Sequence, residues 1–233
     1  MKKCFLGIFI LALWLLSATM AHADLIFDVT LNTSALSSDY TGPFGIAFDM
    51  IWGGATSSNT ATISDFNFGG GSAVEPPYTA GNASGDLAAT PPAPITLTVD
   101  SASFFSYFDQ GFTPGSTLSF QVDLTTNPGS TPDTLSFFLL QSYTPGDYYN
   151  GTGTTSAIPT TNPSGTNSFF DVFTDISLNL GPGGTPIAYS TPSGDISVSI
   201  TPAAAVPEPS TLVLSLTGLL GLASGSWRRR RRV

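Results

Sequence analysis

Binding chemistry in this chain is concentrated where Tyr143, Tyr148 and Tyr149 stand with Asp147 and Asn150 in one Pro/Gly-rich stretch. Phenol rings flanked by Asp and Asn suit the stacking and hydrogen bonding that a neutral sugar takes, and a loop of this composition is expected to hold them at the surface. Asp147 and Asn150 add oxygen donors of the kind calcium accepts. Because the stretch lacks the spaced acidic triplet and terminal Glu of a calcium loop, an Asp/Asn/Gly turn is the plainer reading. Beyond this loop the options narrow quickly. The chain has 233 residues, with 7 Lys and Arg, 1 His and 1 Cys, and all of these lie close to one terminus or the other: Lys2, Lys3, Cys4 and His22 at the start, Arg228 to Arg232 at the end. The stretch from Asp24 to Val206 carries 15 of the 16 Asp and Glu residues and no cation, a formal charge of −15 against −9 for the whole chain.

That distribution excludes several function classes. Ser and Thr are abundant, but no imidazole or amine is present between the termini to activate them. Zinc, haem and iron–sulfur centres want His or Cys, so no cofactor is expected except an oxygen-ligated calcium. A pair of carboxylates alone can hydrolyse a glycoside, yet the acids are scattered singly and no pair stands out, so the protein is expected not to be an enzyme. Nucleic acid is excluded as a partner, since a surface without cations is repelled by phosphate. A neutral sugar, or an exopolysaccharide bridged by calcium, is compatible with it. Trp52 is a weaker sugar candidate because it shares an alternating face with Phe44 and Phe48, which places it in a core.

The ends of the chain are expected to deliver this module. Lys2 and Lys3 precede an apolar run from Phe5 to Leu16, and small residues follow up to Ala21 and Ala23, the pattern of a secretory signal peptide over residues 1–23 cut after Ala23 by signal peptidase. At the other end, Val206, Pro207, Glu208 and Pro209 lead into an apolar segment from Thr211 to Trp227, 17 residues and so near the lower limit for a membrane-spanning helix. Arg228, Arg229, Arg230, Arg231 and Arg232 then hold the C-terminus in the cytoplasm and leave the bulk of the chain outside. With Cys4 removed, the mature chain has no cysteine, and its stability must come from a core.

The Pro-Glu-Pro tripeptide, the short Leu/Gly-rich helix and the arginine cluster, in that order, resemble the PEP-CTERM sorting signal of Gram-negative bacteria. The resemblance covers the tail, residues 206–233. It implies a transient inner-membrane anchor with the C-terminus cytoplasmic, then processing near Pro207 to Pro209 by an exosortase-type membrane transpeptidase and delivery to the cell surface or extracellular matrix. A plain tail anchor on an envelope protein is the alternative. More loosely, Phe104 to Phe112 followed by Pro114 to Phe120 resembles exported PEP-CTERM precursors without known activity.

The intervening residues, 24–200, are expected to form one all-β ectodomain, followed by a linker over 201–206. Period-two alternation runs through Phe44, Ile46, Phe48, Met50 and Trp52, through Ile95, Leu97 and Val99, and through Leu118, Phe120, Val122 and Leu124. It recurs at Ile176, Leu178 and Leu180 and at Ile196, Val198 and Ile200. Leu25 to Leu31, Ile63 to Phe68, Leu135 to Leu140 and Phe169 to Phe173 are apolar enough for strands but alternate less cleanly. Clusters of Gly, Pro, Asn and Ser separate the runs, which predicts an antiparallel β-sandwich with jelly-roll topology as one arrangement. Gly69 to Pro94 and Thr144 to Asn167 are read as long rim loops, and no helical period precedes residue 211.

Overall fold

The computed structural model describes residues 25–55, 57–125, 131–173 and 186–203. The expected signal peptide, the expected strand at Ile176 to Leu180 and the sorting tail lie outside these residues. The chain divides into two units after Thr201, and the first contains the fold described here.

Among the described residues, thirteen strands form two sheets: β1 (Leu25–Asn32), β2 (Phe44–Ile51), β3 (Asn59–Asn67), β4 (Ser72–Ala80), β5 (Asn82–Asp86), β6 (Ala93–Val99), β7 (Phe105–Thr113), β8 (Thr117–Leu124), β9 (Thr134–Gln141), β10 (Ser156–Ala157), β11 (Phe170–Phe173), β12 (Ile187–Ala188) and β13 (Val198–Pro202). The first sheet has the order β13-β1-β8-β3-β6-β5, and the second β12-β11-β9-β2-β7-β4 with β10 added on β9. From β1 to β5 and again from β6 to β9, successive strands pass from one sheet to the other, so that β1-β8-β3-β6 faces β2-β7-β4, the interleaved order of a jelly roll.

Register explains why the alternating runs make one core. Val29 pairs with Phe120, Phe27 and Ile63 both pair with Val122, and Ile63 also pairs with Ile95, so the apolar faces of β1, β8, β3 and β6 coincide. In the other sheet Phe48 pairs with Phe108 on one side and Phe137 on the other, and Phe137 with Phe170. Aromatic rings close the space between the sheets: Phe48 meets Phe120 edge-on at 5.5 Å, and Phe27 meets Phe170 edge-on at 6.0 Å. Such contacts add to area burial by about 0.5–1.5 kcal/mol each.

The two sheets differ on their outer faces. Strands β6 and β8 bury alternate residues and wet the others, whereas β2, β7 and β9 are buried almost throughout. A second, smaller apolar cluster causes this. Ala47, Tyr107, Phe138, Leu140, Tyr143 and Ala157 pack on the outside of the second sheet under the segment that follows β9.

Three expectations need correction. Gly69 to Pro94 is not one long loop, since it holds β4 and β5. Strand β4 forms the edge of its sheet, and its register shifts between Val74 and Tyr78, where Pro76 and Pro77 cannot donate to a ladder. The segment Phe105–Thr113, in which no strand is expected from alternation, is an internal strand, because Asp109 and Gln110 are polar yet fully buried and break the apolar pattern. Two single-turn helices, Leu36–Asp39 and Asp147–Asn150, precede residue 211, each too short to display a helical period.

Candidate binding face on the outside of the second sheet

Outward-pointing residues of the second sheet line up in cross-strand rungs. One runs Asp171–Ser136–Asp49–Tyr107–Ala80 across β11, β9, β2, β7 and β4. The next runs Phe138–Ala47–Asp109–Tyr78, and the third Leu140–Gly45–Gly111–Val74. The third rung is small because the Tyr143 ring lies on it. A Cβ added at Gly45 would collide with that ring, and one at Gly111 would come within 3.0 Å of it.

Asp109 fastens the covering segment to this face. It has no exposed surface, and it accepts the Tyr143 hydroxyl at 2.8 Å, the Tyr107 hydroxyl at 2.9 Å and the Gly146 N–H at 3.2 Å. Gly146 stands at φ +75°, in the left-handed region, and a Cβ there would meet the Tyr78 ring. Burial raises the Asp109 carboxyl above the usual carboxylate range, and the three hydrogen bonds work against that shift. Burial, with the Asp109 charge second, likewise raises the Tyr107 phenol.

The expectation for Tyr143 is therefore wrong. It is 4% exposed and serves as the clamp of the loop, not as a surface ring. Tyr148 is half-buried against Phe138, with ring centroids 5.8 Å apart, and Tyr149 is 43% exposed. Tyr149 tops an aromatic stack, lying 5.6 Å from Phe105, 5.2 Å from Tyr107 and 5.8 Å from Tyr78. Beside it runs a groove of about 500 Å³ bordered by Gly81, Ser103, Phe105 and Phe104, whose ring is 70% exposed. Trp52 is not in this face. It packs partly buried against the main core, with its indole N–H enclosed and without a partner.

Asp147 and Asn150 serve their own turn. Asn150 donates its amide to the Gly146 carbonyl at 2.8 Å, and Asp147 accepts the Thr152 hydroxyl at 3.3 Å. Among the described residues no group of three or more His, Cys, Asp or Glu side chains is gathered as for a metal ion.

A second cleft of about 570 Å³ opens on the other side of Tyr148, between Phe138, Thr155, Asn167 and Asp49. The Asp49 carboxyl is pushed up to about 7, first by burial and then by the charge of Asp171, against a hydrogen bond from Ser136. Burial, with the Asp49 charge second, also raises the Tyr148 phenol. Sequence reasoning did not find Asp49 and Asp171, because only strand register brings them to one rung. A further cleft of about 770 Å³ opens elsewhere, between Phe66, Phe68, Leu87 and Pro94.

The fold and this face define an acidic all-β module with aromatic rings and carboxylates on the outer side of one sheet. The chain's family signature lies in its tail: residues 205–231 match the PEP-CTERM protein-sorting motif, and the chain is a PEP-CTERM sorting-domain protein. The motif marks an exported protein sorted by an exosortase-type system. No curated protein and no solved structure matches the chain. Among the described residues no helix is long and apolar enough to cross a membrane, and the segment expected to do so, Thr211 to Trp227, lies outside them.

Proposed function

We propose that this protein is a non-enzymatic component of the cell surface or extracellular matrix, displayed there as a free acidic β-sandwich. The observation that carries the reading is the match of residues 205–231 to the sorting motif. Signal peptidase cuts after Ala23, the apolar tail arrests the precursor in the inner membrane with Arg228 to Arg232 in the cytoplasm, and an exosortase-type enzyme cuts near Pro207-Glu208-Pro209. Both cuts discard cations, so the released module is left with its carboxylates alone. A charge of that size favours solubility and makes association sensitive to salt. Mass spectrometry of both termini, taken separately from envelope and extracellular fractions, tests the scheme. Ends near Asp24 and Pro209 support it. Arginines 228–232 retained in every fraction sink it in favour of a permanent tail anchor.

A second reading is favoured by the exposed stack of Tyr149 on Phe105, next to Phe104 and one residue from the Tyr148 cleft. Flat aromatic surface beside hydroxyls and carboxylates suits a neutral polysaccharide, and repulsion disfavours an anionic one. On this reading the displayed module holds matrix glycan. Saturable glycan binding that disappears in Tyr149→Ala and weakens in Tyr148→Ala, with circular dichroism unchanged, is the expected result. Equal binding by all three proteins rules the reading out.

A further inference from the structure

Asp49, Ser136 and Asp171 occupy one rung of three adjacent strands, β2, β9 and β11, and so project from the same face of the sheet with the serine between the two acids. Each acid satisfies only part of its carboxylate. Asp49 takes a hydrogen bond from Ser136, and Asp171 Oδ2 accepts the Asn162 amide at 2.9 Å. The Oδ1 atom of each is enclosed and has no hydrogen-bond partner, and Asp171 as a whole is only 8% exposed. A buried carboxylate oxygen without a partner is costly, and two acids on one rung cost more. Elsewhere such a pair is relieved by Lys, Arg or His, but this sequence has none between Asp24 and Val206. The relief has to come from outside the polypeptide.

We infer that Asp49 and Asp171, with the Ser136 hydroxyl between them, form a binding site for a single calcium ion on the outer face of the second sheet. The spacing suits the ion. Flanking strands stand roughly 10 Å apart, two steps of about 4.8 Å, and a calcium ion takes oxygen ligands at about 2.3–2.6 Å from carboxylates on more than one side. The donors are all oxygen, two of them carboxylate, which selects a hard cation and disfavours zinc or copper. Asp49 also lines the cleft bounded by Gly165, Thr166 and Asn167, through which the ion and its remaining water ligands enter. With two carboxylates, affinity falls in the range of extracellular modules, a Kd of about 10⁻⁴–10⁻³ M. The site is distinct from the Asp147 and Asn150 turn.

The test uses the full-length chain in detergent, stripped with chelator and titrated with calcium by calorimetry, and with terbium read by luminescence sensitised through Tyr148 beside Asp49. One saturable event per chain, a raised Tm, and at least tenfold weaker binding in both Asp49→Asn and Asp171→Asn support the inference, with Asp147→Asn unchanged. Three results overturn it: no saturable calcium binding, which leaves a shared proton as the relief of the pair; binding that survives both substitutions; or binding lost in Asp147→Asn. Should either amide variant fail to fold, Ser136→Ala keeps both carboxylates, and unchanged affinity in that protein overturns the three-oxygen site.

Discussion

The Tyr143 hydroxyl donates to Asp109 Oδ1 at 2.8 Å across 34 residues of chain, and this contact ties the loop after β9 to the middle of β7, two strands away in the sheet. Tyr143→Phe keeps the ring on Gly45 and removes only that donor. A hydrogen bond to a charged group contributes about 1.5–3 kcal/mol, so chemical denaturation is expected to show a loss of that order. The midpoint shifts while the slope against denaturant holds, because the sheet stays intact.

Asp109 also makes stability depend on pH. Its folded-state carboxyl lies above the usual value, so its favourable contribution is complete below the unfolded pKa of about 3.9 and is lost as pH rises through the folded value. Asp109→Asn keeps one acceptor oxygen, puts an amide NH2 in place of the other, and cannot ionise. Relative to the parent, this variant is expected to gain stability as pH rises from about 4 through the folded value. A difference between the two proteins that is flat with pH contradicts the assignment.

Gly45→Ala places a methyl group into the Tyr143 ring. The ring cannot yield without giving up Asp109, so a destabilisation of about 1–3 kcal/mol is expected, with the 143–155 segment opening before the sheet does. Limited proteolysis should cut that segment faster in the variant, and hydrogen exchange in β8 should change little.

Trp52 is the only tryptophan between Asp24 and Val206, and its indole N–H is enclosed without a partner. Trp52→Phe removes an unsatisfied donor and retains most of the packing, so thermal unfolding is expected to move little or upward. Trp52→Ala leaves a gap against the main core and should lower Tm clearly. Similar losses in both variants would mean that the N–H has a partner after all.

Much of the fold was legible wherever one strand face is wet. The runs Leu118 to Leu124 and Ile95 to Val99 alternate because β8 and β6 bury one face each. Leu135 to Leu140 alternates poorly for a physical reason: Phe138 and Leu140 are buried under the second cluster while Phe137 and Leu139 are buried in the first. Strand β7 was hidden by Asp109 and Gln110, which are satisfied in part by groups distant in sequence, the Tyr143 hydroxyl and the Leu87 N–H. In the candidate face, Tyr148 and Tyr149 could be picked out from loop composition alone. Tyr143 shares that composition but has two glycines opposite it, Gly45 and Gly111, which no local pattern links to it. Asp49 and Asp171 looked like isolated acids, since only the pairing of both with Ser136 reveals them as a pair.

The prolines of β4 bear on crowding. An open sheet margin invites a neighbouring chain to zip on, and molecules displayed side by side at high density meet such margins constantly. Pro76 and Pro77, at the register break of the outermost strand, interrupt the row of donors a newcomer would need. A coat of many copies can then be packed closely on this flank without fusing into fibrils.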